Sequence, residues 1–491
     1  MDCTAKPLTK HSWFFSLSCV AALCVSTHPH AQESRLKLSQ ALATVPSAID
    51  RPSSIAIPSV AWQFGPSSCS NTPKSPLGLV NALQNLSWLD VLQQSLCRSP
   101  ALQQSLLNVQ EQQATVNLAQ NAFRPRFGFN SSLSSTRDTS SGVSRQNQAL
   151  DANINLSWIA FDFGARQANL QQTQQLLIAL TNSQDTALLG AIGDTLKNYS
   201  DAAIAWARLD AAQEAESIAK QSYAAADAKY QAQVASLAEK FQAQTALAQA
   251  TLDKVRAQGA WESARATLAV NMAYPANQVL SLQYAEAAKP VNASNTAGSF
   301  SDDEVNGWIE VAKSAHPRLL SLRAEVASLQ AKRNAVDASG KGTLSLAANA
   351  GFIRDSFTAG GATRSLGGNA LLNIPLFNDS EQKSLFSQVD AQIQTKESVA
   401  TAVAREIELN VWKTAIMVRN EQQNMVAASQ LVSAAQISYN TAWGRYKAGA
   451  GSIQELLNAQ ANLASAKTQS LVAAINDKTN RLQFVLSLGK Y

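Results

Sequence analysis

The chain is poor in histidine, cysteine and charge, and each shortage removes a class of function. Of its 4 histidines, His11, His28 and His30 lie within the first 31 residues, which have the character of a removable leader. That leaves His316, which precedes Pro317 at a predicted helix start and reads as structural. One histidine cannot build a histidine-based triad or a His/Cys metal cluster within a chain. Gly449 and Gly451 lack the GK[ST] ending of a phosphate loop. No catalytic, cofactor-binding or metal-binding residue is assigned, and the chain is expected not to be an enzyme. Charged residues make up only 15% of the sequence, against about 25% in ordinary soluble proteins. Lys and Arg are scattered, and the net charge of +5 falls to +4 without Lys6, Lys10 and Asp2. Nucleic acid is therefore not an expected partner. Ala, Gln, Ser and Asn take the place of the missing charge, a mixture suited to long helices packed closely with amides facing water.

Residues 1–31 carry Lys6 and Lys10, an apolar run from Trp13 to Val25 and small residues after it. This pattern resembles a secretory signal peptide and is too short to span a bilayer as a helix. Cys19 and Cys24 suggest lipidation, but Leu23 before Cys24 is too large for that processing. An irregular segment follows over 32–86, with Pro46, Pro52, Pro58, Pro66, Pro73 and Pro76 among Ser and Asn. After leader removal only Cys69 and Cys97 remain. They are either two isolated buried thiols or a pair, and an even number in an oxidising compartment favours pairing.

What the chain does have is repetition. The stretch Tyr223 to Ala250 returns 216 residues later as Tyr439 to Ala466, with 11 of 28 positions identical and no gap. A fixed offset signals a duplicated unit. The first copy spans 87–289, a linker 290–301 follows, and the second copy spans 302–491. Each reads as helix, strand pair, very long helix, turn, helix.

In the strand pairs the apolar period changes from 3.6 to 2. Phe127, Phe129 and Leu133 share one face, as do Leu150, Ala152, Ile154, Leu156 and Trp158, while Asn153 and Asn155 lie on the other. Leu344 to Phe352 and Leu366 to Ile374 repeat the alternation. Four strands of about ten residues, apolar on one side, have the pattern of transmembrane barrel strands. Four cannot close a barrel, and open edges are not tolerated in lipid, so several chains would share one. The polar links Ser135–Gln148 and Arg354–Arg364 read as loops at one rim.

Beyond the strands, Asp194–Gln258 and Asp379–Trp443 contain no Gly or Pro. That predicts rods of about 95 to 100 Å. A turn at Lys447–Ser452 is marked by Gly449 and Gly451, and its partner near Gln231–Ser236 is inferred only from the repeat.

Taken together, these features resemble the TolC family of outer-membrane channel proteins over roughly residues 88–489. The specific marks are Asn153 to Leu170, Leu371 to Asn378, and the pairs Ser99-Pro100 and His316-Pro317, similar to the family's NP motif with Asn replaced. Trp88 to Pro100 is similar to the branch serving type I secretion. The resemblance implies an α+β membrane protein, a long antiparallel α-helical barrel continuous with a transmembrane β-barrel, four strands per chain and twelve in a homotrimer. It implies placement in the outer membrane of a Gram-negative cell with the helices in the periplasm. The implied partners are outer-membrane lipid, a periplasmic adaptor and an inner-membrane ABC or proton-driven transporter. The implied function is an exit duct, for type I protein secretion or for small-molecule efflux.

Residue by residue, the resemblance puts a gate at Glu239, Tyr446, Glu455 and Asn458, the last replacing an acid of the family. It puts adaptor-docking turns at Gln233, Gly449 and Gly451, with Gln233 replacing a glycine and Gly451 standing where some members carry the gate arginine. Without that arginine, closure is expected to rest on packing and on a hydrogen bond from Tyr446 to a neighbouring turn, and three Glu455 carboxylates are expected to favour cations. Ordinary rod packing is the competing reading of these residues. A helical surface adhesin or stalk would not need the strand pairs, and a periplasmic adaptor would not show lipid-facing runs. Heat-modifiable migration of a detergent-extracted trimer separates the channel from both.

Overall fold

The computed structural model describes residues 86–140, 143–283, 300–355 and 362–490. Every described residue belongs to one compact unit, within Ser59–Tyr491. The predicted leader and Cys69 lie outside the described residues. Among the described residues no helix is long and apolar enough to cross a membrane.

The duplication is visible in how the helices begin. Helix α1 (Trp88–Arg98) starts with a capping box in which the Ser87 side chain meets Asp90 N and Asp90 returns a bond to Ser87 N. Helix α5 (Asp302–Ala315) starts the same way with Ser301 and Glu304. Each is followed at once by a second helix with proline in its first turn, α2 (Pro100–Asn121) and α6 (Pro317–Ser339). Ser99 Oγ accepts from Leu102 N at 3.4 Å, and His316 Nδ1 accepts from Arg318 N at 3.2 Å. The lone histidine is thus a helix cap. Burial, and then the nearby Arg318, hold its pKa below the usual value.

Strands β1 (Arg126–Ser140), β2 (Val143–Phe161), β3 (Thr343–Asp355) and β4 (Ala362–Asn373) form one antiparallel sheet in that order. The alternation predicted from sequence fixes the register. Phe127, Phe129 and Leu133 pair with Leu156, Ile154 and Leu150. Leu156 and Ile154 pair in turn with Ala348 and Ala350, and Ala350 pairs with Leu366. One face is therefore apolar across all four strands, and its large residues are exposed, Phe127 by 74%, Leu133 by 81% and Leu366 by 88%. The strands run longer than the expected ten residues, at 15, 19, 13 and 12. The link Ser135–Gln148 is not a loop at its ends: it continues the ladder to Ser140 and Val143. Backbone pairing needs no apolar side chains where both faces meet water, and Arg137 Nε donates across the strands to Ser144 Oγ at 2.8 Å. The second link is likewise strand to Asp355 and from Ala362.

After each strand pair comes a rod, α3 (Ala165–Gln231, 67 residues) and α7 (Asp379–Lys447, 69 residues), each about 100 Å long. A turn returns the chain as α4 (Leu237–Asn271) and α8 (Ile453–Ser487). The first rod is displaced from the glycine-free stretch Asp194–Gln258: it starts at Ala165, passes through Gly190 and Gly193, and ends inside that stretch. Those glycines have open space beyond them, and a glycine inside a long helix costs only about 1 kcal/mol against alanine.

Alanine sets the close packing of α3. Ala202, Ala203 and Ala207 are fully buried against Val91, Leu268, Ala269, Met272 and Ile475. Val91 and Leu92 of α1 are buried in full, which contributes roughly 1.5–3 kcal/mol each. A polar trio fixes α1 against α3 and α4: Ser95 Oγ and Thr195 Oγ1 share a hydrogen bond at 2.7 Å, and Asn271 Oδ1 lies 3.0 and 3.1 Å from them, able to accept from the hydroxyl that does not donate to the other.

Candidate functional site

The two helical hairpins end side by side in turns of the same geometry. In the first, Val234 N donates to Lys229 O at 3.0 Å and Gln233 N to Tyr230 O at 2.9 Å; in the second, Ala450 N donates to Arg445 O at 2.9 Å and Gly449 N to Tyr446 O at 3.1 Å. Both are Schellman ends. Ser236 and Ser452 then cap the returning helices, accepting from Glu239 N and Glu455 N. The residue after each rod's cap must be left-handed, so Gly449 has φ +78° and Gln233, its counterpart, has φ +59°. A side chain there costs about 1–2 kcal/mol. Gln233→Gly is therefore expected to stabilise the first turn by about 1 kcal/mol and to slow its proteolytic nicking, and Gly449→Gln to do the reverse.

Gly451 sits where a Cβ would lie 3.1 Å from Arg445 Cβ and 3.2 Å from Tyr446 N. The turn closes onto Arg445, so a side chain at 451, such as the arginine some family members carry there, would need the turn to give by a few tenths of an ångström. Arg445 instead supplies the charge: its Nη1 meets Glu455 Oε1 at 2.9 Å. The Glu455 carboxylate is thus ion-paired within its own turn. Asn458 is exposed and accepts from Gln454 Nε2 at 3.1 Å.

The repeat puts Lys229 opposite Arg445 and Glu239 opposite Glu455, yet the first pair does not form. Lys229 reaches across to the other hairpin, where its Nζ donates to the Tyr446 carbonyl and lies 3.9 Å from the centre of the Tyr446 ring. Glu239 is half-buried and makes no ion pair among the described residues. Tyr446 itself is 1% exposed, packed with Ala226, Ala243, Ala442, Ile453 and Leu456. Its hydroxyl is buried without a hydrogen-bond partner. Burial, and then the charge of Glu239, push its pKa above the ordinary tyrosine value. Within the single chain the expected hydrogen bond from this hydroxyl to a neighbouring turn is not made. Further along, Ser222 Oγ donates to Gln460 Oε1 at 3.1 Å, a second tie between the hairpins. Lys229 and Arg445 went unnoticed in the sequence, although each stands ten residues before a glutamate at the repeat offset.

Of the remaining assigned residues, Gln233 and Gly449 are exposed and Gly451 half-buried. Cys97, at the end of α1, is disulfide-bonded, and Cys69 lies outside the described residues.

A sheet whose apolar face is bare, carried at one end of two long helical hairpins, defines a channel-forming outer-membrane protein. The chain matches the Outer membrane efflux protein family over residues 91–272 and 308–490 and belongs to it. It is 26% identical over 443 residues to Protein CyaE of Bordetella pertussis, covering 89% of this chain and 88% of that one. Its fold is that of CusC (TM-score 0.69, 17% identity, 86% of this chain and 96% of that one). It is likewise that of the open-state MtrE outer membrane channel of Neisseria gonorrhoeae (TM-score 0.68, 16% identity, 82% and 89%). The protein is an outer-membrane export duct.

Proposed function

We propose that three copies close their sheets into one twelve-stranded barrel through the outer membrane, with the paired hairpins forming a periplasmic conduit. The observation that carries this reading is the four-stranded sheet with a bare apolar face and two unpaired edges, β1 and β4. In lipid every backbone group must be paired, so such edges demand further strands; three copies supply twelve. The duct receives substrate from an inner-membrane pump through a periplasmic adaptor that docks on the turns at Gln233, Gly449 and Gly451. Type I protein secretion is favoured by the Trp88–Pro100 stretch and by the similarity to CyaE. Deleting the gene tests it: loss of one secreted protein from the medium with unchanged drug susceptibility supports secretion, and the opposite pattern supports small-molecule efflux.

Cys69 is proposed as the partner of Cys97, tying the proline-rich segment to α1. Alkylation without reductant, followed by mass measurement of the mature chain, is expected to find no free thiol; two free thiols end the pairing.

A further inference from the structure

The bare apolar face of the sheet ends differently at its two limits. At the helix end it is bordered by exposed aromatics, Phe123, Trp158, Phe161, Phe163 and Phe377, with Trp158 Nε1 donating to Phe123 O at 3.0 Å. At the hairpin end the same face carries arginine. Arg354 stands opposite Leu150 and Ala362, and Arg364 stands opposite Phe352, so the two are diagonal neighbours on adjacent strands. Backbones in that relation lie about 7–8 Å apart. Arg137 lies on the same face of β1 but four residues further along, beyond Leu133, which is level with Leu150 and Arg354; its Nε donates to the outward Ser144 Oγ at 2.8 Å.

Neither Arg354 nor Arg364 has an ion pair or hydrogen bond among the described residues, both are exposed, and no acid shares their face there. Two like charges held as diagonal neighbours on one bare face repel, and an anion between them relieves that repulsion. The setting also restricts the anion. The apolar surface begins at the next residues, Phe352 and Leu366, so the ligand presents charge immediately beside hydrocarbon. Guanidinium forks fit phosphate oxygens two at a time.

We propose that Arg354 and Arg364 bind the phosphates of lipid headgroups in the outer leaflet. The proposal rests on the reading that the apolar face meets lipid. The collar fixes the height of the barrel in the membrane from above, as the aromatics do from below.

The test measures uptake of diphosphoryl lipid A, and of the same lipid stripped of phosphate, by the detergent-extracted full-length oligomer using native mass spectrometry. The parent is expected to retain the phosphorylated form preferentially. R354Q/R364Q is expected to weaken that binding about 25-fold, at about fivefold per arginine, while R126Q, on the opposite face at the helix end, leaves it unchanged. Equal retention of both lipids by the parent overturns the proposal even if the double variant fails to assemble. So does parent-like binding by an assembled R354Q/R364Q, or displacement of the lipid by millimolar inorganic phosphate alone. Failure of the parent to insert into vesicles at all would instead remove the lipid-facing assignment beneath it.

Discussion

Arginine at Ile154 is expected to cost about 2 to 4 kcal/mol per copy and to collapse the yield of heat-stable oligomer, whereas arginine at Asn153 leaves that yield near the parent's. Ile154 sits mid-strand between Phe129 and Ala350, on the face whose large residues are bare, and is itself 54% exposed. A guanidinium there would lie near the middle of the hydrocarbon. Asn153, one residue away, pairs with Asn130 and Gly351 on the opposite face and donates to Asp151, among groups that water solvates. Because successive side chains alternate faces, a one-residue slip would exchange the two outcomes. Semi-native electrophoresis with and without heating reads both variants. Equal effects at 153 and 154 would mean that neither face meets lipid, and the barrel would fall with them.

The strands were legible because a sheet with one apolar face imposes a strict period of two on residues such as Phe127, Phe129, Ile154 and Leu366. Their upper ends were not, since Ser135 to Ser140 pair through backbone alone and carry no apolar signal. The helix starts could be read from Ser-Pro and His-Pro. The first turn could not be read locally, because Gln233 holds a left-handed position that sequence assigns to glycine; only the offset to Gly449 located it. Of the candidate site, the residues were found and their partners were not. Whether Lys229 pairs with Glu239 or with Tyr446 depends on how two hairpins 216 residues apart meet, and the composition of neither hairpin encodes that.

Lys229→Met is expected to raise the open probability of the channel in planar bilayers by at least about tenfold. The ammonium ties the two turns directly, by a bond to the Tyr446 carbonyl together with the face of its ring, whereas the Lys467–Glu214 ion pair joins the same hairpins further from their ends. A hydrogen bond to a charged group contributes about 1.5–3 kcal/mol and a cation–π contact about 0.5–2 kcal/mol. Methionine keeps the stem against the ring and removes only the charge, and losing 1.4 kcal/mol already shifts an equilibrium about tenfold. Tyr446→Phe keeps the ring and the carbonyl and deletes a hydroxyl that has no partner, so conductance is expected to stay at the parent's level. The Arg445–Glu455 pair lies within one hairpin and should govern selectivity rather than opening. Arg445→Gln is expected to turn selectivity toward cations by uncovering Glu455, and Glu455→Gln toward anions by uncovering Arg445. Should Tyr446→Phe open the channel while Lys229→Met does not, the hydroxyl and not the lysine holds the hairpins together, and the packing around Tyr446 must differ in the assembled duct.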